Sequence, residues 1–242
     1  MIVVKNIKNY VLKIAETIAE QIKLKQKNDQ HLVLGLATGS TPITLYDELV
    51  RLHEEENLSF HNVFTFNLDE YCGLEEDHVN SYHYFMNDKL FSRINIPSEN
   101  IYIPNGKIES LFERDYCEGY EQTIKDLGGI DIQILGIGRN GHIGFNEPGS
   151  PSDSITRKVK LHDITRTDAS PDFGGLDNVP THAITMGMQT ILSAKSIFLL
   201  AFGEAKKEIT RTAINGDISD KVPASHLQKH KNVTVCTDFN IN

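Results

Sequence analysis

Two segments of this chain deliver acid–base groups to places where a substrate could meet them. They are Asn67-Leu68-Asp69-Glu70-Tyr71 and Gly138-Arg139-Asn140-Gly141-His142-Ile143-Gly144-Phe145-Asn146-Glu147-Pro148. Each follows a largely apolar run that reads as a strand, 63–68 and 130–137. Carboxylates and an imidazole carried to strand ends are what a proton-shuttling site requires. A third apolar run, 32–37, ends in Thr38-Gly39-Ser40-Thr41-Pro42. That loop offers glycine-freed backbone N–H groups, hydroxyls and a helix N-terminus, a set suited to a phosphate dianion. Together the three point to acid–base chemistry on a small phosphorylated substrate.

Taken singly, each segment also has a structural reading. The Thr-Gly-Ser-Thr loop can be an ordinary capped strand-to-helix turn. It lacks the Gly-Lys-Ser/Thr ending of a Walker loop, so a nucleoside triphosphate is not indicated. Asp69 and Glu70 can cap the next element, and His142 can be a hydrogen-bonded structural histidine. Glu147, five residues after His142, can orient its imidazole through Nδ1. Metal binding is the other use of histidine with carboxylates. The pair lacks i,i+4 spacing and has no second histidine nearby, which argues against it. Gly136-Ile137-Gly138-Arg139-Asn140-Gly141 also matches G-x-G-x-x-G literally. The dinucleotide mechanism needs a helix to open at once, and Pro148 and Pro151 would interrupt it. Cys72, near Asp69 but adjoined by no His, Lys or Arg, reads as a bystander.

Composition narrows the partners. A net charge of −9 over 242 residues argues against a nucleic-acid surface. No run of roughly 18 apolar residues offers a membrane span. Three scattered cysteines in no metal-ligand spacing, and an N-terminus without a signal-peptide pattern, suggest a reduced, cytoplasmic protein.

The elements that must position these groups alternate. Helical spacing predicts helices over 9–26, from about Pro42 to His53, and near 82–90, 109–126, 183–194 and 204–214. Strands are expected at 32–37, 63–68, 130–137, 196–202 and 233–236. Residues 138–182 are weakly periodic and rich in proline and glycine, as a long functional loop would be. Strands alternating with helices imply an α/β fold, a mostly parallel sheet covered on both faces. With no composition break, the chain 1–242 reads as one domain, ligands lying beyond the carboxyl ends of the strands.

The set Leu36-Ala37-Thr38-Gly39-Ser40-Thr41-Pro42, Phe66-Asn67-Leu68-Asp69-Glu70-Tyr71 and residues 135–148 resembles the glucosamine-6-phosphate deaminase family. The likeness extends over Asn80-Ser81-Tyr82-His83 and Ala183-Ile184-Thr185-Met186-Gly187 to essentially the whole chain. Looser forms of the fold occur in galactosamine-6-phosphate deaminases and 6-phosphogluconolactonases. The resemblance implies a modified Rossmann-like α/β/α sandwich and aldose–ketose isomerisation with loss of ammonia, without metal or organic cofactor. It implies that Asp69 is the base at C2 and that His142 moves the ring-opening proton, held by Glu147 and Asn140. Thr38, Gly39, Ser40, Thr41 and Lys206 would hold the phosphate, and 161–181 would be a lid.

Three departures from the family pattern matter. Asn140 stands where some members carry Asp, so the relay has one carboxylate fewer. Pro171 stands where many members place a phosphate-binding Arg, a role left for Arg166 or another basic group. Ser150 and Arg157 match an allosteric site of some members, but Val159 replaces a lysine and the chain ends at Asn242 without their longer C-terminal segment; allosteric activation is not expected. A galactosamine-6-phosphate deaminase, a lactonase, or a sugar-phosphate sensor without turnover are the alternatives. Lactone hydrolysis needs no base at C2, and a sensor would not need Asp69, His142 and Glu147. Neither oligomeric state nor preference at C4 follows from the sequence.

Overall fold

A computed structural model describes residues 2–5 and 7–241. In chain order the elements are β1 (Ile2–Lys5), α1 (Ile7–Lys27), β2 (Leu32–Leu36), α2 (Ile43–Glu56), β3 (Val63–Asn67) and β4 (Asp69–Tyr71). Then come α3 (Tyr82–Lys89), β5 (Ile101–Tyr102), α4 (Glu113–Asp126), β6 (Ile132–Gly136), β7 (Arg157–Lys160) and α5 (Asp163–Ala169). The chain closes with β8 (His182–Thr185), α6 (Met188–Leu192), β9 (Ser196–Ala201), α7 (Lys207–Asn215) and β10 (Val233–Thr237).

Seven strands form one sheet in the order β1-β10-β9-β6-β2-β3-β5, every pairing parallel. Period-two alternation splits their side chains between two cores. Leu32, Leu34, Leu36, Ile132 and Ile134 face α1 and α2. Val33, Phe66, Leu135, Leu199 and Val235 face the side of α4, α6 and α7. Helix α1 buries Ile14, Ile18 and Ile22 at four-residue spacing. Each buried Ile contributes about 2 kcal/mol, so this stripe rather than helix propensity holds the helix. Helix α2 stops at Asn57, whose left-handed backbone (φ 55°) returns its N–H to Leu52 O.

The strand order reverses at β2 and β6, which opens a crevice at their carboxyl ends. The loops after β2, β3, β6 and β9 therefore converge there, and these are the four loops carrying the sequence-predicted site residues. The α/β reading and the central strands agree with the structure.

Two expectations are corrected. Residues 138–182 are not one long loop: they contain β7 and α5. Residues 183–194 are not one helix but β8 followed by the five-residue α6. Both corrections come from a small second sheet, β4-β8-β7, whose pairings are antiparallel. Its register places Asp69 opposite Thr185 and Tyr71 opposite Ala183. Under it lies a minor core of Tyr71, Phe145, Leu161 and Ala183. No helix among the described residues is long and apolar enough to cross a membrane.

Candidate active site

The crevice is a cavity of about 310 Å³. Its walls include Thr38, Gly39, Ser40, Thr41, Asp69, His142 and Lys206, so the loops predicted to meet do meet. Asn140 and Glu147 stand behind His142 rather than in the wall.

The first wall is the Thr38–Thr41 loop. Gly39 adopts φ 88°, which an L side chain rarely does, and this turns the loop back into α2. The Tyr46 hydroxyl of α2 donates to Ala37 O and pins the loop's start.

Asp69 opens β4, where the chain leaves the main sheet for the small one. Leu68 bridges them: its N–H donates to Leu36 O at 3.0 Å, and its carbonyl accepts from Met186 N at 2.6 Å. The Asp69 carboxyl is pushed well above its ordinary value, first by burial and then by the neighbouring Glu70. Glu70 itself turns away from the cavity. It accepts from the backbone N–H groups of Tyr82 (2.9 Å) and His83 (3.0 Å) and meets His83 Nδ1 at 2.9 Å, capping α3. Of the two acidic neighbours, one therefore faces the cavity and the other has the structural role.

His142 is placed by a tight turn in which Gly138 N donates to His142 O and Gly141 N to Gly138 O. A Cβ on Gly138 would lie 2.1 Å from His142 Cε1, so only glycine leaves room for the ring. Behind it, Asn140 Nδ2 donates to Glu147 Oε2 at 2.8 Å. The carboxylate can only accept, so the amide oxygen faces His142, 2.8 Å from Nδ1. Nδ1 is therefore a donor, so in the neutral ring Nε2 is the nitrogen with the lone pair. Glu147 Oε2 lies 3.4 Å from Nδ1, and Oε1 accepts from His162 N at 3.1 Å. Burial raises the Glu147 carboxyl, but bonds from His142, Thr165 and Asn140 together outweigh it and hold it at about 2. The relay is thus an ionised carboxylate, an amide bridge and an imidazole.

The loop is fastened from below. Buried Asn146 donates to Ile143 O and Met186 O, and accepts from Arg157 at 3.0 Å. Arg157 is thereby engaged next to the loop.

The roof comes from within 161–181, where sequence reasoning placed a lid but singled out none of these wall side chains. Thr165, Asp168, Ala169 and Asp172, from α5 and the turn after it, line the cavity. The Thr165 hydroxyl lies 3.4 Å from His142 Nδ1. Phe173 packs edge-on against Tyr71, with ring centroids 5.3 Å apart. Asn80 Nδ2 donates to Asp172 O at 3.1 Å. Arg166, offered above as a substitute phosphate ligand, instead donates to Leu176 O and Val179 O, both at 2.9 Å. Lys206, on the turn into α7, is half-buried; burial pushes its ammonium down.

The family model for glucosamine-6-phosphate isomerases and 6-phosphogluconolactonase matches residues 5–236. The chain belongs to that family. Family relatives include glucosamine-6-phosphate deaminase 1 of Bacillus subtilis (strain 168), 51% identical over 89% of this chain and 87% of its own. A glucosamine-6-phosphate deaminase of Clostridium perfringens (strain 13 / Type A) is 44% identical over 98% and 96%. Among solved structures of the family, a monomeric glucosamine-6-phosphate deaminase superposes with TM-score 0.93 at 46% identity, covering 100% of this chain and 98% of that one. A 6-phosphogluconolactonase from Thermotoga maritima shares the fold alone, at 22% identity and TM-score 0.71 over 97% and 96%.

Proposed function

We propose that this chain is a glucosamine-6-phosphate deaminase, converting glucosamine 6-phosphate and water to fructose 6-phosphate and ammonia. The observation that carries the reading is the pairing, in one cavity, of a buried carboxyl with an imidazole whose Nδ1 is engaged by Asn140, so that proton exchange falls to Nε2. Aldose–ketose isomerisation needs a base at carbon and a separate acid–base group at oxygen. Identities of 44–51% to deaminases over most of the chain support the same activity.

In this mechanism the phosphate is held by the Thr38–Thr41 loop and Lys206. His142 Nε2 takes the proton of the anomeric hydroxyl and returns it to the ring oxygen, opening the pyranose. Asp69, ionised, removes the C2 proton to give an enolamine. Burial makes that carboxylate a stronger base once charged. A proton delivered to C1 leaves an imine at C2, and water hydrolyses it to the ketone with release of ammonia. Glu147 and Asn140 keep the imidazole in one tautomer and orientation throughout.

We read the chain as one catalytic domain and residues 161–181 as its lid. Phe173 on Tyr71 and Thr165 beside His142 support a closed arrangement that excludes water from the enolamine.

The test incubates purified protein with glucosamine 6-phosphate and, separately, galactosamine 6-phosphate, following ammonia and ketose phosphate together. Equimolar products from the gluco substrate are expected. Turnover of the galacto epimer alone would change the substrate and keep the mechanism. Silence on both would overturn the deaminase reading.

A further inference from the structure

A sugar phosphate brings close to two negative charges into this cavity, and the charges already there do not favour it. Lys206 supplies one cation. Asp168, on α5, places a carboxylate in the same wall, and Asp172 adds another at the roof. Arg166 does not line the cavity, and its Nη2 is bound to two carbonyls. Arg139 remains. It follows Gly138, itself a wall residue, and its guanidinium grips Asp168 in two-pronged fashion: Nε donates to Oδ2 at 2.8 Å and Nη2 to Oδ1. The guanidinium is therefore outside the cavity lining but bound to a wall carboxylate, and about half of its side chain is open to solvent. Asp168 and Arg139 both act on the Lys206 ammonium, in opposite senses, which places the three charges in one neighbourhood.

We propose that Arg139 is a phosphate ligand held in reserve by Asp168, exchanging that carboxylate for the phosphate of the incoming substrate. A guanidinium fork fits a phosphate as well as a carboxylate, and the dianion is the stronger competitor. Until substrate arrives, the pair neutralises Asp168 and ties α5 to the loop that carries His142. On exchange, Arg139 and Lys206 together balance the phosphate charge. This inference rests on the sugar-phosphate reading of the cavity, although the anion site can be measured separately.

Two measurements on wild type, Arg139→Gln, Arg139→Lys and Asp168→Asn test it: KM for glucosamine 6-phosphate, and the rise in Tm with added inorganic phosphate. Arg139→Gln should raise KM about tenfold or more and blunt the phosphate-induced rise, while kcat changes less. Arg139→Lys should fall between wild type and Arg139→Gln. Asp168→Asn should move the phosphate response the other way, toward tighter binding, because the competitor is gone. If the pair merely tethers α5, both partners' variants weaken phosphate binding together, and the proposal is overturned. It is equally overturned if Arg139→Gln leaves both measurements unchanged. If wild type fails to turn over glucosamine 6-phosphate while Arg139→Gln still loses the phosphate response, the deaminase reading fails and the anion site stands.

Discussion

Asn140 accepts from His142 Nδ1 at 2.8 Å, and the same amide donates to Glu147 Oε2 at 2.8 Å. The carboxylate thus acts on the imidazole both directly, 3.4 Å from Nδ1, and through a neutral bridge that dictates which ring nitrogen donates to it. Replacing the bridge by Asn140→Leu removes both bonds at once. We expect kcat to fall about ten- to a hundredfold, less than the loss of a proton-transfer group itself, with KM little changed. Asn140→Asp, which still accepts from Nδ1, should retain more activity. Equal loss in the two variants would show that the amide's acceptor role is unimportant.

Glu147 predicts a pH dependence of stability. Its folded value of about 2 lies below the ordinary 4.5, so the ionised form is favoured by folding. The stabilisation is fully present above pH 4.5 and is lost as pH falls toward 2. Across that window wild type should lose about 3 kcal/mol relative to Glu147→Gln. Urea denaturation of both proteins at stepped pH measures the difference; parallel profiles would contradict the bonding described.

Gly138→Ala isolates the geometry of the imidazole. The new Cβ would fall 2.1 Å from Cε1 and 2.3 Å from Nε2, so the ring must leave its position. Turnover should drop by about a hundredfold or more, on the scale of a lost general acid–base group. Substrate affinity should change little, because the Thr38–Thr41 loop and Lys206 are untouched. Normal kcat would mean that His142 has no fixed role in ring opening.

How far the sequence revealed this depends on how local each determinant is. Helix α1 and strands β2, β3 and β6 were legible because their apolar spacing is carried by consecutive residues. The small sheet was not. β4 has three residues, and β7 is Arg-Lys-Val-Lys at the surface. The apolar stretch of β8 runs into α6 with no proline between them, so one periodic pattern covered two elements. These strands exist through antiparallel pairing, of β4 with β8 across more than a hundred residues and of β7 with β8 across the intervening α5, which no short window displays. The floor of the site was legible for the same local reason: Asp69, His142 and Glu147 lie in two short motifs. Thr165 and Asp168 were not, since each is defined by a partner distant in the chain; for the same reason capping was offered for Asp69 and Glu70 alike, and only the fold assigns it to Glu70.

Asp69 offers the most direct test, because function and stability should move in opposite directions. Its carboxyl is raised by burial, so the neutral form is favoured by folding; that contribution is full below pH 3.8 and is lost as pH rises through the folded value. Asp69→Asn should therefore raise Tm at neutral pH, with the gain disappearing in acid. Ammonia and fructose 6-phosphate, followed together at saturating glucosamine 6-phosphate, should appear in equal amounts from wild type. They should slow by about 10²–10⁴-fold in Asp69→Asn, with the substrate still bound. Undiminished turnover by that variant would contradict the assignment of Asp69 as the base at C2.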